Sequence, residues 1–173
     1  MPQTDDYYTK SINGFLLQAL EKAWCKETAY PLCQDEYDEK HPSWGNCFVS
    51  SIVIWAEDNL PLVAGIVDMP SQKGIWHWRN TTADATWQQF DKGSVFYRPR
   101  FAAPSDAQYQ EIVVESVFND ETLLPRLALL MDRMEKRGGY EMETSAQDIV
   151  AALRHHYRNY SGPQLSGPAT PQA

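Results

Sequence analysis

Hydrophobic positions recur every three or four residues near the start of the chain and again over its last third. The apolar residues from Ile12 to Trp24 fall on one helix face, which predicts an amphipathic helix over residues 11–25. The same spacing predicts helices over residues 111–118 and 123–137. The pattern therefore indicates helices on both sides of a differently patterned middle.

The signals that end and begin the later helices are also present. Gly138-Gly139 stops the helix over residues 123–137. The side of that helix predicted to face the core carries Leu124, Leu127, Leu130, Met131 and Met134. Thr144 and Gln147 match a capping box, which predicts a last helix through Asn159. Residues 161–173 are rich in Pro and Gly and predict a flexible tail.

The middle of the chain has short apolar runs bounded by turn residues. Residues 48–55 are almost continuously apolar, so their β-branched members favour a strand, although a buried helix is equally allowed. Residues 62–67 and 75–79 flank the turn-forming residues 70–74 and predict a β-hairpin. Residues 84–87 predict an extended piece that pairs antiparallel with the second hairpin strand. Helices with a small antiparallel sheet indicate an α+β fold.

The length of the chain limits the number of domains, and its charge limits the classes of binding partner. The 173 residues suffice for one core, so we expect a single domain over residues 1–160 followed by the tail. A net charge of -8 repels polyphosphates, which argues against nucleic acid or anionic lipid as a partner. No apolar run approaches the roughly 20 residues that span a bilayer, and the first ten residues are polar. We therefore expect a cytoplasmic protein that does not bind membranes.

The three cysteines do not make a disulfide framework. Their odd count leaves at least one thiol free, and we expect all of them to be reduced. A zinc site would have to use Cys25, Cys33, His41 and Cys47, whose gaps match no paired knuckle spacing. We therefore expect neither a metal nor another cofactor.

A thiol, an imidazole and a carboxylate follow one another in the middle of the chain. If Cys47 opens a helix, the helix N-terminus lowers the pKa of its thiol and its backbone N–H can stabilise an oxyanion. His77, on the predicted strand face opposite Trp76 and Trp78, would be the base. Asp84, seven residues later, would orient the imidazole.

Four neighbouring residues are candidates for supporting roles. Asn46 would supply a second oxyanion donor, and Gly45 would let a substrate backbone come close. Asn80 is the rival to Asp84 as the group that orients the imidazole. Trp78 belongs to a set of six tryptophans that could line a ligand pocket or fill the core.

Each of these residues also has a structural interpretation. A cysteine before an apolar run is more often a small buried hydrophobe, and a histidine between tryptophans is often a core residue. The alternative to an enzyme is a catalytically silent binding module that meets a partner protein through its tryptophans or the acidic residues 35–40. A second alternative is a redox or metal sensor that uses Cys25, Cys33 and Cys47.

Several segments together match a known family pattern. They are Ala19-Leu20-Glu21-Lys22-Ala23-Trp24, Glu27-Thr28-Ala29-Tyr30-Pro31, Gly45-Asn46-Cys47-Phe48-Val49-Ser50-Ser51, His77-Trp78-Arg79-Asn80, Asp84-Ala85-Thr86-Trp87-Gln88-Gln89-Phe90 and Asn119-Asp120-Glu121-Thr122. On these residues the chain resembles the YunG-like family of small bacterial proteins over about residues 15–135.

The resemblance implies more than the residues do alone. The family's Cys, His, Asp order is similar to that of papain-like and transglutaminase-like thiol enzymes, which implies a papain-like α+β fold. Cys47 would lie on its central helix, with His77 and Asp84 on the sheet. The expected function is a thiol hydrolase or acyltransferase acting on an amide or thioester of a peptide, a protein or a small amide. Asn46 departs from the Gln that the family usually has there, and the stretch from Asn80 to Asp84 is shorter than the family's hairpin.

Overall fold

The structure is a computed structural model, and it describes residues 9, 11–97 and 107–158. Over these residues it is an α+β protein with a three-stranded antiparallel sheet, and helices come both before and after the strands in the sequence. The tail predicted over residues 161–173 lies outside the described residues.

Helix α1 is Gly14–Ala23, and it confirms the prediction from the apolar spacing. The side chain of Asn13 accepts a hydrogen bond from the Phe15 backbone N–H and so caps the helix. Leu16, Ala19, Leu20 and Ala23 form its buried face. Two 3-10 helices, Lys26–Thr28 and Pro31–Glu36, then carry the chain towards Gly45.

The apolar run after Gly45 is a helix rather than a strand. This helix, α2, is Cys47–Asp58, and it ends at Asn59 in the left-handed conformation. All seven residues from Phe48 to Ile54 are buried, so this part of the helix has no solvent face. A helix that is apolar all round lies in the core, where burial on every side outweighs the weak strand preference of Val and Ile.

The predicted hairpin is confirmed. Strand β1 is Leu62–Asp68 and strand β2 is Ile75–Asn80, and they pair antiparallel with Gly65 opposite His77. Strand β3, Val95–Tyr97, pairs with the other side of β1, which gives the order β2-β1-β3. Strand β2 is therefore an edge of the sheet.

The prediction of an extended piece over residues 84–87 that pairs with β2 is wrong. Among the described residues, pairing beyond β2 is limited to one bridge between Asn80 and Ala83. The Asp84 carboxylate then accepts hydrogen bonds from the backbone N–H and the hydroxyl of Thr86, which turns the chain. A 3-10 helix, Trp87–Gln89, follows this turn.

The last third is helical as predicted. The helices are α3, Ala107–Val113, α4, Leu123–Arg133, and α5, Ala146–Tyr157. The first two continue as π-helical turns, Val114–Asn119 and Met134–Gly138, and Gly139 ends the second at φ 67°.

Two details of these helices differ from the prediction. Ser145, not Thr144, caps α5, because its hydroxyl accepts from the Asp148 backbone N–H and donates to the Asp148 carboxylate. The capping pair thus lies one residue later than predicted. Leu124 is 37% exposed, whereas its neighbour Leu123 is fully buried and takes the core position on α4.

The two faces of the sheet contact different hydrophobic clusters. The large cluster joins α1, α2, α4 and α5 with Trp78, whose ring lies 4.7 Å from that of Phe48. The small cluster, on the His77 side of β2, contains Val67, Met69 and Trp87. The predicted alternation along β2 is confirmed, because His77 and the two tryptophans belong to opposite faces.

We predict that Gly138→Ala lowers the free energy of unfolding by about 1–3 kcal/mol, because overpacking forces a shift of the backbone. A Cβ at position 138 would lie 2.7 Å from both the Cα and the Cβ of Ala19 on α1. Gly14→Ala is the matched control, since a Cβ there meets nothing within 4 Å. Urea unfolding of both variants measures the difference, and equal stability of the two would contradict the close packing of α1 on this turn.

Candidate active site

Cys47 is the first residue of α2 and is half-buried. The turn that delivers it contains Gly45 at φ 73°, a conformation that favours glycine. As the first residue of an α-helix, Cys47 has a backbone N–H without an acceptor inside the helix. The thiol is therefore accompanied by a free donor and by the positive end of the helix dipole.

His77 and Asp84 form a buried pair. His77 Nε2 lies 2.6 Å from Asp84 Oδ2, and each side chain is only 1% exposed. The other carboxylate oxygen, Oδ1, accepts from the Thr86 backbone N–H and hydroxyl, each at 3.0 Å. Every oxygen of the buried carboxylate thus has a donor, and the shorter stretch after Asn80 still brings Asp84 to the imidazole.

The imidazole also interacts with Cys47, since each group shifts the pKa of the other. Asp84 occupies Nε2, so Nδ1 is the ring nitrogen left for another partner. Burial raises the pKa of Cys47, but the hydrogen bond and charge of His77 and the Trp78 backbone N–H together lower it below its ordinary value. Burial lowers the pKa of His77, but the Asp84 charge and hydrogen bond, with a smaller effect of Cys47, raise it to about 10. The site favours a thiolate beside an imidazolium.

Two phenylalanines shield the imidazole. The ring of Phe90 meets that of His77 edge-on at 4.8 Å, and the ring of Phe96 lies 6.2 Å away. Gly65 makes room for Phe96, because a Cβ at Gly65 would overlap its ring. These aromatic contacts, and the Thr86 donors, were not found from the sequence; only the Asp-x-Thr spacing of an Asx-type turn pointed to Thr86.

The structure places Asn46 and Gly45 in the turn before α2, where both contact other parts of the chain. The Asn46 amide donates to the carbonyls of Pro42 and Trp44, which uses both of its N–H groups. Its side chain is fully buried and holds the turn before α2. At Gly45 the space of the missing side chain is filled by Cys33, since a Cβ would lie 2.6 Å from the Cys33 Cβ.

Asn80 and Trp78 also have structural positions. The Asn80 amide donates to the carbonyls of Ser51 and Leu60, so it ties β2 to α2 and does not contact His77. The Trp78 side chain is 6% exposed and packs on Phe48, so only its backbone N–H takes part in the site. Asp84 is thus the partner of His77, and it lies in the turn after the sheet rather than in a strand.

Cys25 and Cys33 are not part of the group formed by Cys47, His77 and Asp84. Cys25, Cys33 and Cys47 are all free thiols. Burial and then the negative charge of Cys47 raise the pKa of Cys33 to about 11. Within the described residues, no three His, Cys, Asp or Glu side chains converge as a metal site would require. In the same part of the chain, none of the helices has the length and apolar character needed to cross a membrane.

Comparison with protein families identifies a family that the chain matches. A family model described as YunG protein matches residues 14–121, which is more than half of the chain and includes Cys47, His77 and Asp84. No curated protein and no solved structure matches the chain.

We predict that Asp84→Asn lowers the pKa of His77 well below 10, because burial then acts without the opposing carboxylate. Since the pKa in the folded state exceeds the free value of 6.5, the stabilisation from protonated His77 is complete below pH 6.5 and is lost as pH rises through about 10. NMR titration of the His77 Cε1–H resonance measures the change.

Asp68→Asn is the control for this titration. Asp68 ends β1 and accepts from the Gly74 backbone N–H, so its loss removes a carboxylate from the same hairpin without touching the imidazole. A His77 pKa that stays near 10 in Asp84→Asn would show that Asp84 is not the group that sets it.

Proposed function

The chain belongs to the YunG protein family, and we propose that it is a thiol hydrolase or acyltransferase that acts on an amide or a thioester. The observation that carries the proposal is the position of His77, which lies 2.6 Å from Asp84 and interacts with the Cys47 thiol so that each shifts the pKa of the other. A nucleophile, a base and an orienting group in contact are the arrangement that covalent acyl transfer requires.

In the proposed reaction the Cys47 thiolate attacks the carbonyl carbon of the substrate. A carbon–sulfur bond forms, and the electron pair of the C=O bond moves to oxygen, where the Cys47 backbone N–H can donate to it. As the intermediate collapses, the bond to the leaving group breaks and protonated His77 gives its proton to the leaving nitrogen or sulfur. The product of this half is a thioester on Cys47.

The second half resolves the thioester. Neutral His77 takes a proton from water or from an amine as that molecule attacks the thioester carbonyl. The carbon–sulfur bond then breaks, which releases an acid or an amide and restores the thiolate beside the imidazolium. Asp84 keeps its contact with Nε2 and so holds the imidazole in a fixed orientation.

The assignment of the α+β fold to the papain-like class is part of the same proposal. We infer a papain-like arrangement, and three features support it: the thiol on the first turn of a buried helix, the imidazole on an antiparallel strand packed against that helix, and a carboxylate just beyond this strand. Fold alone does not decide activity, so the reactivity of Cys47 is the property to measure.

We predict that iodoacetamide alkylates Cys47 faster than Cys33 by more than about tenfold at pH 7, because the thiolate is the reacting form. The lowered pKa of Cys47 means that its thiolate persists as pH falls below 9.0, and is lost only when pH passes that lowered value. Cys33, with a pKa near 11, is mostly protonated at pH 7. Peptide mass mapping after timed alkylation from pH 5 to 10 gives both profiles.

His77→Gln separates activation from accessibility in this experiment. Without the imidazole the Cys47 profile should move to alkaline pH, whereas the Cys33 profile should not move in that direction, because a smaller thiolate charge on Cys47 lowers the pKa of Cys33. Equal and slow labelling of both thiols in the unmodified chain would contradict the enzyme proposal and favour the binding-module alternative.

A further inference from the structure

Cys33 lies against the turn that delivers Cys47. A Cβ at Gly45 would lie 2.6 Å from the Cys33 Cβ, so the Cys33 side chain occupies the space beside the Gly45 Cα. The Tyr30 backbone N–H donates to the Gly45 carbonyl at 2.9 Å, and the Cys33 backbone N–H donates to the Tyr30 carbonyl at 2.8 Å. The segment that carries Cys33 is therefore bonded to the turn that leads into Cys47.

Little chain and little packing separate the two cysteines. One residue separates Gly45 from Cys47, so their Cα atoms are at most about 7 Å apart. A disulfide joins Cα atoms that are about 4.4–6.8 Å apart. The 3-10 helix Pro31–Glu36 that carries Cys33 has no buried residue, so little packing opposes the movement that would join the two sulfurs.

Electrostatics gives the two thiols different protonation states. Burial and then the negative charge of the Cys47 thiolate raise the pKa of Cys33 to about 11, whereas the pKa of Cys47 lies below its ordinary value. At neutral pH the pair therefore consists of a thiolate at Cys47 and a protonated thiol at Cys33. Because the thiolate is the reacting form, an oxidant attacks Cys47 first and leaves Cys33 intact beside it.

We propose that Cys33 is a resolving cysteine, which condenses with the oxidised Cys47 to form a disulfide and so blocks the active site reversibly. The oxidant is a hydroperoxide, and reduction of the disulfide by an external thiol restores Cys47. The assignment rests on the reactive thiol of the proposed function, but not on acyl transfer, and it names the regulation of that site.

In the first step Cys47 is oxidised by two electrons. Its thiolate attacks the hydroxyl oxygen of the hydroperoxide, a sulfur–oxygen bond forms and the oxygen–oxygen bond breaks. The leaving alkoxide takes a proton from the His77 imidazolium and departs as an alcohol. Cys47 is then a neutral sulfenic acid.

In the second step Cys33 resolves the sulfenic acid. The Cys33 sulfur attacks the Cys47 sulfur, a sulfur–sulfur bond forms and the sulfur–oxygen bond breaks. The hydroxyl group of the sulfenic acid leaves with the Cys33 proton as water. Because Cys47 no longer carries a negative charge, one of the effects that raise the pKa of Cys33 is absent, which increases its thiolate fraction during this step.

Hydrogen peroxide is the probe for this pairing. After treatment of the folded chain at neutral pH, mass mapping under non-reducing conditions should find Cys33 linked to Cys47 to an extent that does not depend on protein concentration. In Cys33→Ser the disulfide cannot form, so Cys47 should accumulate as sulfenic acid, which dimedone traps, and then as irreversible sulfinic acid. Both products should be severalfold more abundant than in the unmodified chain.

Cys25→Ser is the matched control, because Cys25 is also a half-buried free thiol in the stretch between α1 and α2. This variant should form the disulfide between Cys33 and Cys47 as readily as the unmodified chain. If Cys47 pairs equally with Cys25, or if Cys25→Ser accumulates the sulfinic acid as Cys33→Ser does, the role assigned to Cys33 is wrong.

Iodoacetamide labelling of the same samples keeps this proposal distinct from the proposed function. Rapid alkylation of Cys47, together with peroxide oxidation to its sulfinic acid and no disulfide to Cys33, refutes the resolving role and leaves the thiol enzyme standing. Slow reaction of Cys47 with both reagents counts against the thiol enzyme, and the pairing is then decided at equilibrium.

A glutathione redox buffer provides that equilibrium measurement. In a mixture of reduced and oxidised glutathione, one protein thiol displaces the first glutathione of the disulfide and the second protein thiol displaces the other. Cys33 and Cys47 should pair in preference to any pairing with Cys25. Absence of a disulfide between Cys33 and Cys47 at every ratio that leaves the chain folded would overturn the proposal.

Discussion

The buried contact between His77 and Asp84 is the constraint on which the local structure depends. A carboxylate that is 1% exposed must have every oxygen satisfied, and here it accepts from the imidazole and from two donors of Thr86. Those two Thr86 bonds turn the chain immediately after the edge strand β2, so no further strand can form there. After this turn the chain brings the Phe90 ring edge-on against the His77 ring. One buried carboxylate thus shapes both the sheet edge and the cover of the imidazole.

The position of α2 follows from the opposite side of the same strand. Phe48 packs on Trp78, and the Asn80 amide bonds to Ser51 of the helix and to Leu60 just after it. These contacts hold the helix and β2 together by packing and by hydrogen bonds, independently of the thiol. The first residue of the helix is therefore placed near the imidazole by core contacts rather than by the interaction of its own thiol with His77. In the proposed reaction such a scaffold would hold the reacting groups in position without cost at the moment of reaction.

Local signals in the sequence were enough to predict the amphipathic helices and the β-hairpin. The helix faces and the hairpin follow from spacing and turn residues, but the run after Gly45 was ambiguous, because periodicity is silent for a helix buried all round. Cys47, His77 and Asp84 could be selected because few residue types carry such chemistry. The supporting residues could not: Asn46, Asn80 and Gly45 bond to or pack on chain segments that spacing does not reveal. The cap at Ser145 instead of Thr144 is a smaller error, since both residues can accept the same bond.

Asp84 acts on the Cys47 thiol in two opposing ways. Its negative charge by itself raises the pKa of Cys47, which disfavours the thiolate. The same carboxylate raises the pKa of His77 and so favours the protonated imidazole, whose charge lowers the pKa of Cys47. Because the direct effect of Asp84 is smaller than the effect of His77, the pKa of Cys47 is lowered overall. A buried carboxylate near a thiol is therefore compatible with a lowered thiol pKa when an imidazole lies between them.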